Sequence, residues 1–395
     1  MSLLTQLVNL FFSQRRGEID FFMQHPARVQ QQQLERLLTQ AGGTVFGRDH
    51  GFGKIRTSEA YAAAVPVVDY DSFSEYIGRT RTGEQNVLWP TEIKWFAKSS
   101  GTTSAKSKFI PVSDEGLSGC HLRGPMDVIC FFAGLYPKSG VFGGRTLTLG
   151  GSHRLESTGG RAQEGDLSAI LIENTPKWAS WRRTPRPETA LIPDFEEKVQ
   201  AICREAVPQR VTSFAGVPSW NLVLMNRVLE YTGKQNILEV WPEMELFVHG
   251  GMNFNPYREQ YRRIFPSDTM KYMETYNASE GFFAIQDDPS RDDMLLMLDY
   301  GVYYEFLPVS DLGDPSKAVP LEGVKQGVNY AMIISTSNGL WRYQIGDTVE
   351  FTSLAPYKIK ITGRTKHFIN AFGEELIIDN AETALQAACA ATGAL

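Results

Sequence analysis

Cysteine is scarce in this chain, with four in 395 residues: Cys120, Cys130, Cys203 and Cys389. None stands at CxxC spacing and no paired histidines lie near them, which argues against a zinc site, and a chain of this size needs no disulfide framework. Long Lys/Arg runs are missing and the formal charge is −6, so the electrostatic footprint of a nucleic-acid binder is absent. No apolar run reaches the roughly 20 residues that a membrane-spanning helix needs. The order of a signal peptide is missing too. The apolar stretch Leu3–Phe12 precedes Arg15-Arg16 instead of following a positive segment, and no clear cleavage site follows. It reads as an amphipathic opening helix, and the whole as a cytoplasmic, soluble protein. No internal repeat is visible, and no Ser/His/Asp or Cys/His pattern of a covalent nucleophile stands out.

What is present suffices for a large core. Hydrophobic residues make up 42% and charged ones 21%, which excludes a disordered chain. The length suits one large domain with subdomains, or two domains. The first hundred residues carry mainly helical patterns; Leu34, Leu37 and Leu38 follow the glutamines 30–33 at helical spacing, and Gly42-Gly43 ends the run. From Ile93 the texture changes. Ile93–Ala97 and Phe109–Val112 flank a polar segment and read as strand, loop, strand.

Helices return beyond this point. Phe195, Val199, Ile202 and Ala206 share one face of a helix entered through Pro193-Asp194. Ser219 is a good N-cap for a second helix, which stops near Gly233. Strand-like runs then dominate: Leu246–His249, Lys271–Tyr276, Leu295–Leu298, Val302–Leu307 and Tyr330–Thr336. Asn338-Gly339 is a hairpin signal that sets Leu340–Tyr343 opposite the preceding strand. Lys358–Ile361 alternates as a half-exposed strand that Gly363 ends. These patterns predict an α/β fold with an extra β-rich portion in the second half.

Three segments could carry chemistry. The first is Ser99-Ser100-Gly101-Thr102-Thr103-Ser104-Ala105-Lys106-Ser107-Lys108. Hydroxyls, backbone N–H groups freed by glycine, and an ammonium are the donors that a triphosphate needs in a small space. It is not the GxxxxGK[ST] loop between strand and helix, and the same residues could make a solvated hairpin loop. The second is Tyr276-Asn277-Ala278-Ser279-Glu280, where a hydroxyl and a carboxylate open a loop after a strand. Such a pair can hold a phosphate oxygen and a Mg²⁺; alone, a polar turn explains it as well. The third is Arg342-Tyr343-Gln344-Ile345-Gly346-Asp347, whose aspartate could accept hydrogen bonds from two ribose hydroxyls or be an ordinary turn carboxylate.

In order, content and separation these segments resemble the adenylate-forming superfamily, which includes acyl-CoA synthetases and firefly luciferase. Within it the chain is most similar to the auxin-responsive acyl-acid amido synthetases and their bacterial relatives. That branch carries a phosphate loop SSGT[ST]xGxxK, a YxxSE-type segment and an RYxxGD segment, matched at Ser99–Lys108, Tyr276–Glu280 and Arg342–Asp347. Pro176-Lys177-Trp178, Gly216-Val217-Pro218-Ser219-Trp220, His249-Gly250-Gly251 and Gly363-Arg364-Thr365-Lys366 are further similar stretches, as are Gly373-Glu374-Glu375-Leu376 and Asn380-Ala381-Glu382. The resemblance covers the chain from about Phe46 onward.

The resemblance implies a large adenylate-forming N-terminal domain, residues 1–362, of mixed sheets flanked by helices with a β-rich subdomain. Residues 363–395 would be the hinge and first helix of a C-terminal cap domain that is mostly absent. It implies ATP and Mg²⁺ as cofactors, and a small-molecule carboxylic acid and an amino acid as partners. Ser99, Ser100, Gly101, Thr102, Thr103 and Lys108 would hold the β- and γ-phosphates. Tyr276 would line the adenine pocket, Ser279 a phosphate, Glu280 the Mg²⁺, and Asp347 the ribose, with Arg364 assisting near the hinge. Lys108 and Glu280 would be the catalytic pair. Gly250 and Gly251 would let the backbone approach the acyl-adenylate, and Val217, Trp220 and His249 would border the acyl group. Arg123, on the helix after the loop with His121 and Asp127, is the candidate partner of a substrate carboxylate; a surface pair with Asp127 explains it equally.

The implied reaction has two halves. A carboxylate attacks the α-phosphorus of ATP and pyrophosphate leaves; an amine then attacks the mixed anhydride and AMP leaves. Ala105 departs from the family loop, which usually has a second glycine there, and would strain the loop if that position needs positive φ. Thioester formation with coenzyme A is the enzymatic alternative. A non-catalytic nucleotide or acyl-ligand binder is the alternative from another class.

Overall fold

The computed structural model describes residues 3–99, 107–151, 156–157, 162–365, 368–371 and 374–377. The chain divides into two compact units that interleave in sequence. Unit one comprises Met1–Ile19, Cys120–Ser157 and Gln163–Arg291; unit two comprises Asp20–Gly119, Thr158–Ala162 and Asp292–Leu395.

Helices fill most of the first eighty residues, from Leu3–Phe11 to Tyr70–Arg81. The helix Pro26–Ala41 follows the sequence pattern: Leu34, Leu37 and Leu38 are buried on one face. In unit two, strands β1 (Trp95–Ser99) and β2 (Lys108–Val112) then pair antiparallel, Ser99 opposite Lys108. This is the anticipated strand, loop, strand, with the first strand shifted two residues toward the loop.

Unit one takes up β3 (Arg145–Thr148), β4 (Glu156–Ser157), β5 (Gln163–Gly165), β6 (Arg183–Thr184), β7 (Val211–Gly216), β8 (Leu246–Gly250), β9 (Lys271–Ala278) and β10 (Gly281–Ile285). Its sheet runs β10-β9-β8-β7-β3-β6. β3, β6, β7, β8 and β9 are joined by parallel pairings and β10 turns back antiparallel on β9. Parallel neighbours need helical crossovers, and two of these helices build the core of the unit. In the first, Phe195–Ala206, Asp194 caps Glu197 N at 2.8 Å while Val199, Ile202 and Ala206 are buried. The second, Pro218–Thr232, ends at Gly233, whose φ of 67° puts it in the left-handed region. It starts at Pro218 with Val217 as N-cap, not at Ser219. Proline at the first helical position lacks the N–H that would be orphaned there, so it opens the helix earlier than a serine cap does. Against the helices the sheet offers stacked aromatics: Phe214 lies 4.1 Å from Phe247 and 5.4 Å from Phe265, centroid to centroid. Burying each such ring contributes about 2–3 kcal/mol.

Unit two resumes with β11 (Met294–Leu296), β12 (Val302–Pro308), β13 (Val319–Pro320), β14 (Asn329–Thr336), β15 (Tyr343–Leu354) and β16 (Tyr357–Arg364), ordered β13-β12-β14-β15-β16-β11 with antiparallel pairing. Beyond them β17 (Phe368–Ala371) and β18 (Glu374–Ile377) pair with each other. The hairpin at Asn338-Gly339 is present: Gly339 has φ 81° and Thr336 N donates to Leu340 O at 2.8 Å. Strand pairing resumes only at Tyr343, opposite Ile334. Between these points Trp341 is fully buried, in ring contact with Phe46, Phe52 and Trp89. The alternation at Lys358–Ile361 differs from expectation. Lys358 is buried and Ile361 exposed, because bulges in the β15–β16 ladder reset the faces. The strand also continues through Gly363 to Arg364.

Candidate functional site

The phosphate-loop candidates sit on the β1–β2 hairpin. Ser99 and Lys108 face each other as its last paired residues, both half-buried. Ser100, Gly101, Thr102, Thr103 and Ala105 lie outside the described residues. At the base of the hairpin, Tyr70 Oη accepts from Phe109 N at 2.9 Å, and Lys108 Nζ lies 5.8 Å from the Tyr70 ring centroid.

Ser279 and Glu280 form the two-residue turn between β9 and β10, flanked by the pair Ala278–Gly281. Glu280 is buried, and so is Tyr276, whose ring lies 5.0 Å from that of Phe283. A clamp holds the far side of this turn. Cys120 Sγ accepts from Phe282 N at 3.1 Å, and a Cβ on Gly124 would strike the Phe282 ring at 2.3 Å. Burial pushes the Cys120 thiol up to about 12, so it stays protonated and serves as a packing group, not a nucleophile.

Asp347 and Arg364 are opposite residues of β15 and β16, and Arg364 Nε meets Asp347 Oδ1 at 2.9 Å. Gly346, with φ 98°, makes the local kink before the aspartate. The same sequence segment contains a residue of quite different role. Arg342 is buried and gives Nε and Nη2 to both oxygens of Glu305, each at 2.9 Å. Its Nη1 donates to Val65 O at 2.7 Å and Ala62 O at 2.9 Å. Arg342 therefore ties the segment to the fold.

Five of the acyl candidates, Val217, Trp220, His249, Gly250 and Gly251, lie at or just beyond the ends of β7 and β8 in unit one. Gly216 and His249 are register partners, and Gly250 pairs with Thr275 of β9. Glycine is required at 250, where a Cβ would stand 2.3 Å from Thr275 O; Gly251 has φ 82°. Val217 reaches that corner, its Cγ2 3.5 Å from where a Gly251 Cβ would be. Trp220 is exposed and lies 5.2 Å from the Phe195 ring. His249 is buried and stacked 4.3 Å from Phe254; burial pushes its imidazole down to about 3, so it is neutral. Its Nδ1 has no hydrogen-bond partner.

Arg123 donates to Glu18 Oε2 at 3.0 Å, and Asp127 accepts a bidentate pair from Arg15, including Nη2 to Oδ2 at 2.7 Å. Helical spacing sets Arg123 and Asp127 on one face, and the fold adds to each a partner from more than a hundred residues away. His121 is buried on the same stretch, and burial pushes it down to about 4.

Asn221 was not singled out from sequence. It is fully buried, Nδ2 donating to Val217 O at 3.1 Å and Oδ1 unpartnered. The available signal was an amide four residues after Val217, one turn into a helix that opens on a strand end. Among the described residues no group of three or more His, Cys, Asp or Glu side chains could hold a metal ion, and no helix is long and apolar enough to cross a membrane.

Comparison with known proteins places the chain in a family. The family model described as GH3 family N-terminal domain matches residues 15–197 and 161–270, and the GH3 family central domain matches residues 295–364. The chain belongs to the GH3 family. Among curated relatives it is similar to Jasmonoyl--L-amino acid synthetase JAR4 of Nicotiana attenuata, 23% identical over 400 residues, covering 84% of this chain and 68% of that protein. It is also similar to Indole-3-acetic acid-amido synthetase GH3.4 of Arabidopsis thaliana, 22% identical, covering 85% and 66%. Among solved structures, the GH3.15 acyl acid amido synthetase matches with TM-score 0.76 at 17% identity, covering 94% of this chain and 75% of that one. A 2-hydroxyisobutyryl-CoA ligase shares the fold at TM-score 0.60 and 13% identity, covering 91% and 72%. The expected mixed α/β adenylate-forming architecture is thus borne out.

Proposed function

We propose that this chain carries the acid-activating machinery of an acyl-acid amido synthetase, joining a carboxylic acid to an amino acid at the expense of ATP. Membership of the GH3 family supports the reaction class. The observation that carries the site is the β9–β10 turn, with a hydroxyl and a buried carboxylate side by side at Ser279-Glu280.

Glu280 is a buried carboxylate, and among the described residues no group of three or more metal-ligating side chains is formed; this suits Mg²⁺, which takes one or two carboxylates and completes its shell with nucleotide phosphates and water. Glu280 would hold the ion, whose chemistry is to neutralise charge on the phosphates. Ser279 hydrogen-bonds a phosphate oxygen, and Lys108 with the hydroxyls from Ser99 to Thr103 binds the β- and γ-phosphates. Tyr276 lines the adenine. Asp347 accepts from the ribose hydroxyls, and its contact with Arg364 orients the carboxylate. The attacking carboxylate of the substrate needs no general base. These residues act by positioning and charge stabilisation, and neutral His249 borders the acyl group without taking a proton. The amine then opens the mixed anhydride.

The test is product formation. The chain is incubated with a panel of acids, ATP and Mg²⁺ plus either amino acids or coenzyme A, and products are identified by mass. Amide products are expected with amino acids; thioesters alone would replace this reading with a CoA ligase. Glu280→Ala should lower Mg-dependent pyrophosphate exchange by about a hundredfold or more. Exchange unaffected by that substitution would remove Glu280 from the role.

A further inference from the structure

At the carboxyl edge of unit one, β7 and β8 end without side chains, at Gly216 and at Gly250-Gly251. Gly216 and Gly250 are half-exposed and Gly251 is exposed, so this edge is open. Behind it lie polar groups that the fold leaves unsatisfied. Gly216 and His249 are register partners in parallel strands, so their Cα atoms are about 5 Å apart and their side-chain directions share a face. A Cβ on Gly216 would lie 2.8 Å from Asn221 Nδ2. The Asn221 amide therefore occupies the space over Gly216, on the sheet face that the His249 side chain shares. The bond from Nδ2 to Val217 O settles which way the amide points. Asn221 Oδ1 and His249 Nδ1 are both buried without a partner. Asn221 stands in the first turn of a 15-residue helix whose N-cap, Val217, offers no side-chain hydrogen bond. A single unsatisfied buried polar atom costs about 1–3 kcal/mol, and two neighbours at one open strand edge mark a place where a ligand atom belongs.

We infer that Asn221 and His249 form a polar subsite of the acyl pocket that takes a hydroxyl group, so that the acids this chain activates are hydroxylated ones. The choice of hydroxyl follows from the donor–acceptor count. Asn221 Oδ1 can only accept. A neutral imidazole carries one proton, which it can place on Nδ1 and donate. A hydroxyl donates to the amide oxygen and accepts from the imidazole, satisfying both. A carbonyl would leave Asn221 Oδ1 unpaired, a carboxylate would face that oxygen as a like partial charge, and an ammonium would be desolvated with no counter-ion. A trapped water has the same chemistry as a hydroxyl, and the experiment separates the two.

The inference rests on the acid-activating reading above. Its test compares acids that differ by one hydroxyl: phenylacetate with 4-hydroxyphenylacetate, and octanoate with 8-hydroxyoctanoate. The readout is the kcat/KM ratio within each pair, from pyrophosphate release with ATP, Mg²⁺ and a mixture of amino acids. The hydroxylated member of at least one pair should be preferred by about tenfold or more. In Asn221→Leu and in His249→Phe that ratio should collapse toward one or invert, circular dichroism verifying that each variant folds. Equal or reversed preference in the wild type overturns the inference and leaves a water between the two groups, as would a ratio that both variants retain. If no acid is activated at all, the acid-activating reading fails separately. Thermal shift of the unaltered chain with each pair still decides the subsite, a larger shift with the hydroxylated member supporting it and equal shifts ending it.

Discussion

Arg342 and Asp347 stand five residues apart in one motif, yet the structure divides their work, and replacing each in turn should separate the two roles. Arg342 places four N–H contacts on Glu305, Ala62 and Val65, and both partners of the ion pair are buried. Arg342→Met leaves a carboxylate in the interior with no cation and two carbonyls with no donor. Breaking a buried pair from one side costs about 3–5 kcal/mol, or a fall in Tm of about 10 °C at the ratio typical of units of this size. Burial already pushes the Glu305 carboxyl up, with Arg342 opposing. Without the arginine it rises further. A carboxyl raised above its unfolded value favours the folded state at low pH and loses that advantage as pH rises. The deficit of Arg342→Met should therefore be smallest near pH 4 and grow toward neutrality. Adding Glu305→Leu should restore much of the loss at pH 7, because no lone charge remains. Asp347→Asn should do the opposite of Arg342→Met: Tm within about 2 °C of the parent, pyrophosphate exchange strongly reduced. Urea melts across pH and exchange assays on the same preparations give the answer. A pH-independent deficit, or no recovery in the double variant, would refute the assignment of Arg342 to the fold.

Other expectations follow from the clamp and the buried histidine. Gly124→Ala puts a methyl 2.3 Å from the Phe282 ring, two residues beyond Glu280. It should raise the KM for Mg-ATP several-fold while secondary structure by circular dichroism is kept; an unchanged KM would show that the turn does not depend on this packing. Burial pushes His121 from 6.5 down to about 4, so the unfolded chain takes up the proton first as pH falls. Stability should drop by up to about 3 kcal/mol between pH 6.5 and pH 4 through this group. His121→Phe should flatten that part of the urea-midpoint profile, and an unaltered slope would place the acid sensitivity elsewhere.

Much of the molecule was legible before any coordinates. Local rules sufficed wherever the determinant lies within a few residues. Asp194 caps its helix, Gly233 ends the next one, Asn338-Gly339 turns the chain, and the polar run after Ser99 joins two strands. The candidate motifs can be nominated for the same reason, since phosphate and metal ligands cluster on short turns.

What tertiary structure alone decided are pairings across long separations, where spacing carries no information. Helical periodicity set Arg123 and Asp127 on one face; the fold alone brings Arg15 to Asp127 and Glu18 to Arg123. Arg342 belongs to a nucleotide motif by sequence and to Glu305, thirty-seven residues back, by structure. Bulges between β15 and β16, invisible to a period of two, buried Lys358 and exposed Ile361. Likewise, only parallel register set His249 beside Gly216, over which the Asn221 amide lies. The sequence by itself could nominate turns for a nucleotide, because the donors such a ligand needs are local, and it determined where helices and hairpins end. Which polar groups end up buried, paired or left without a partner is a property of distant segments meeting, and only the assembled chain decides it.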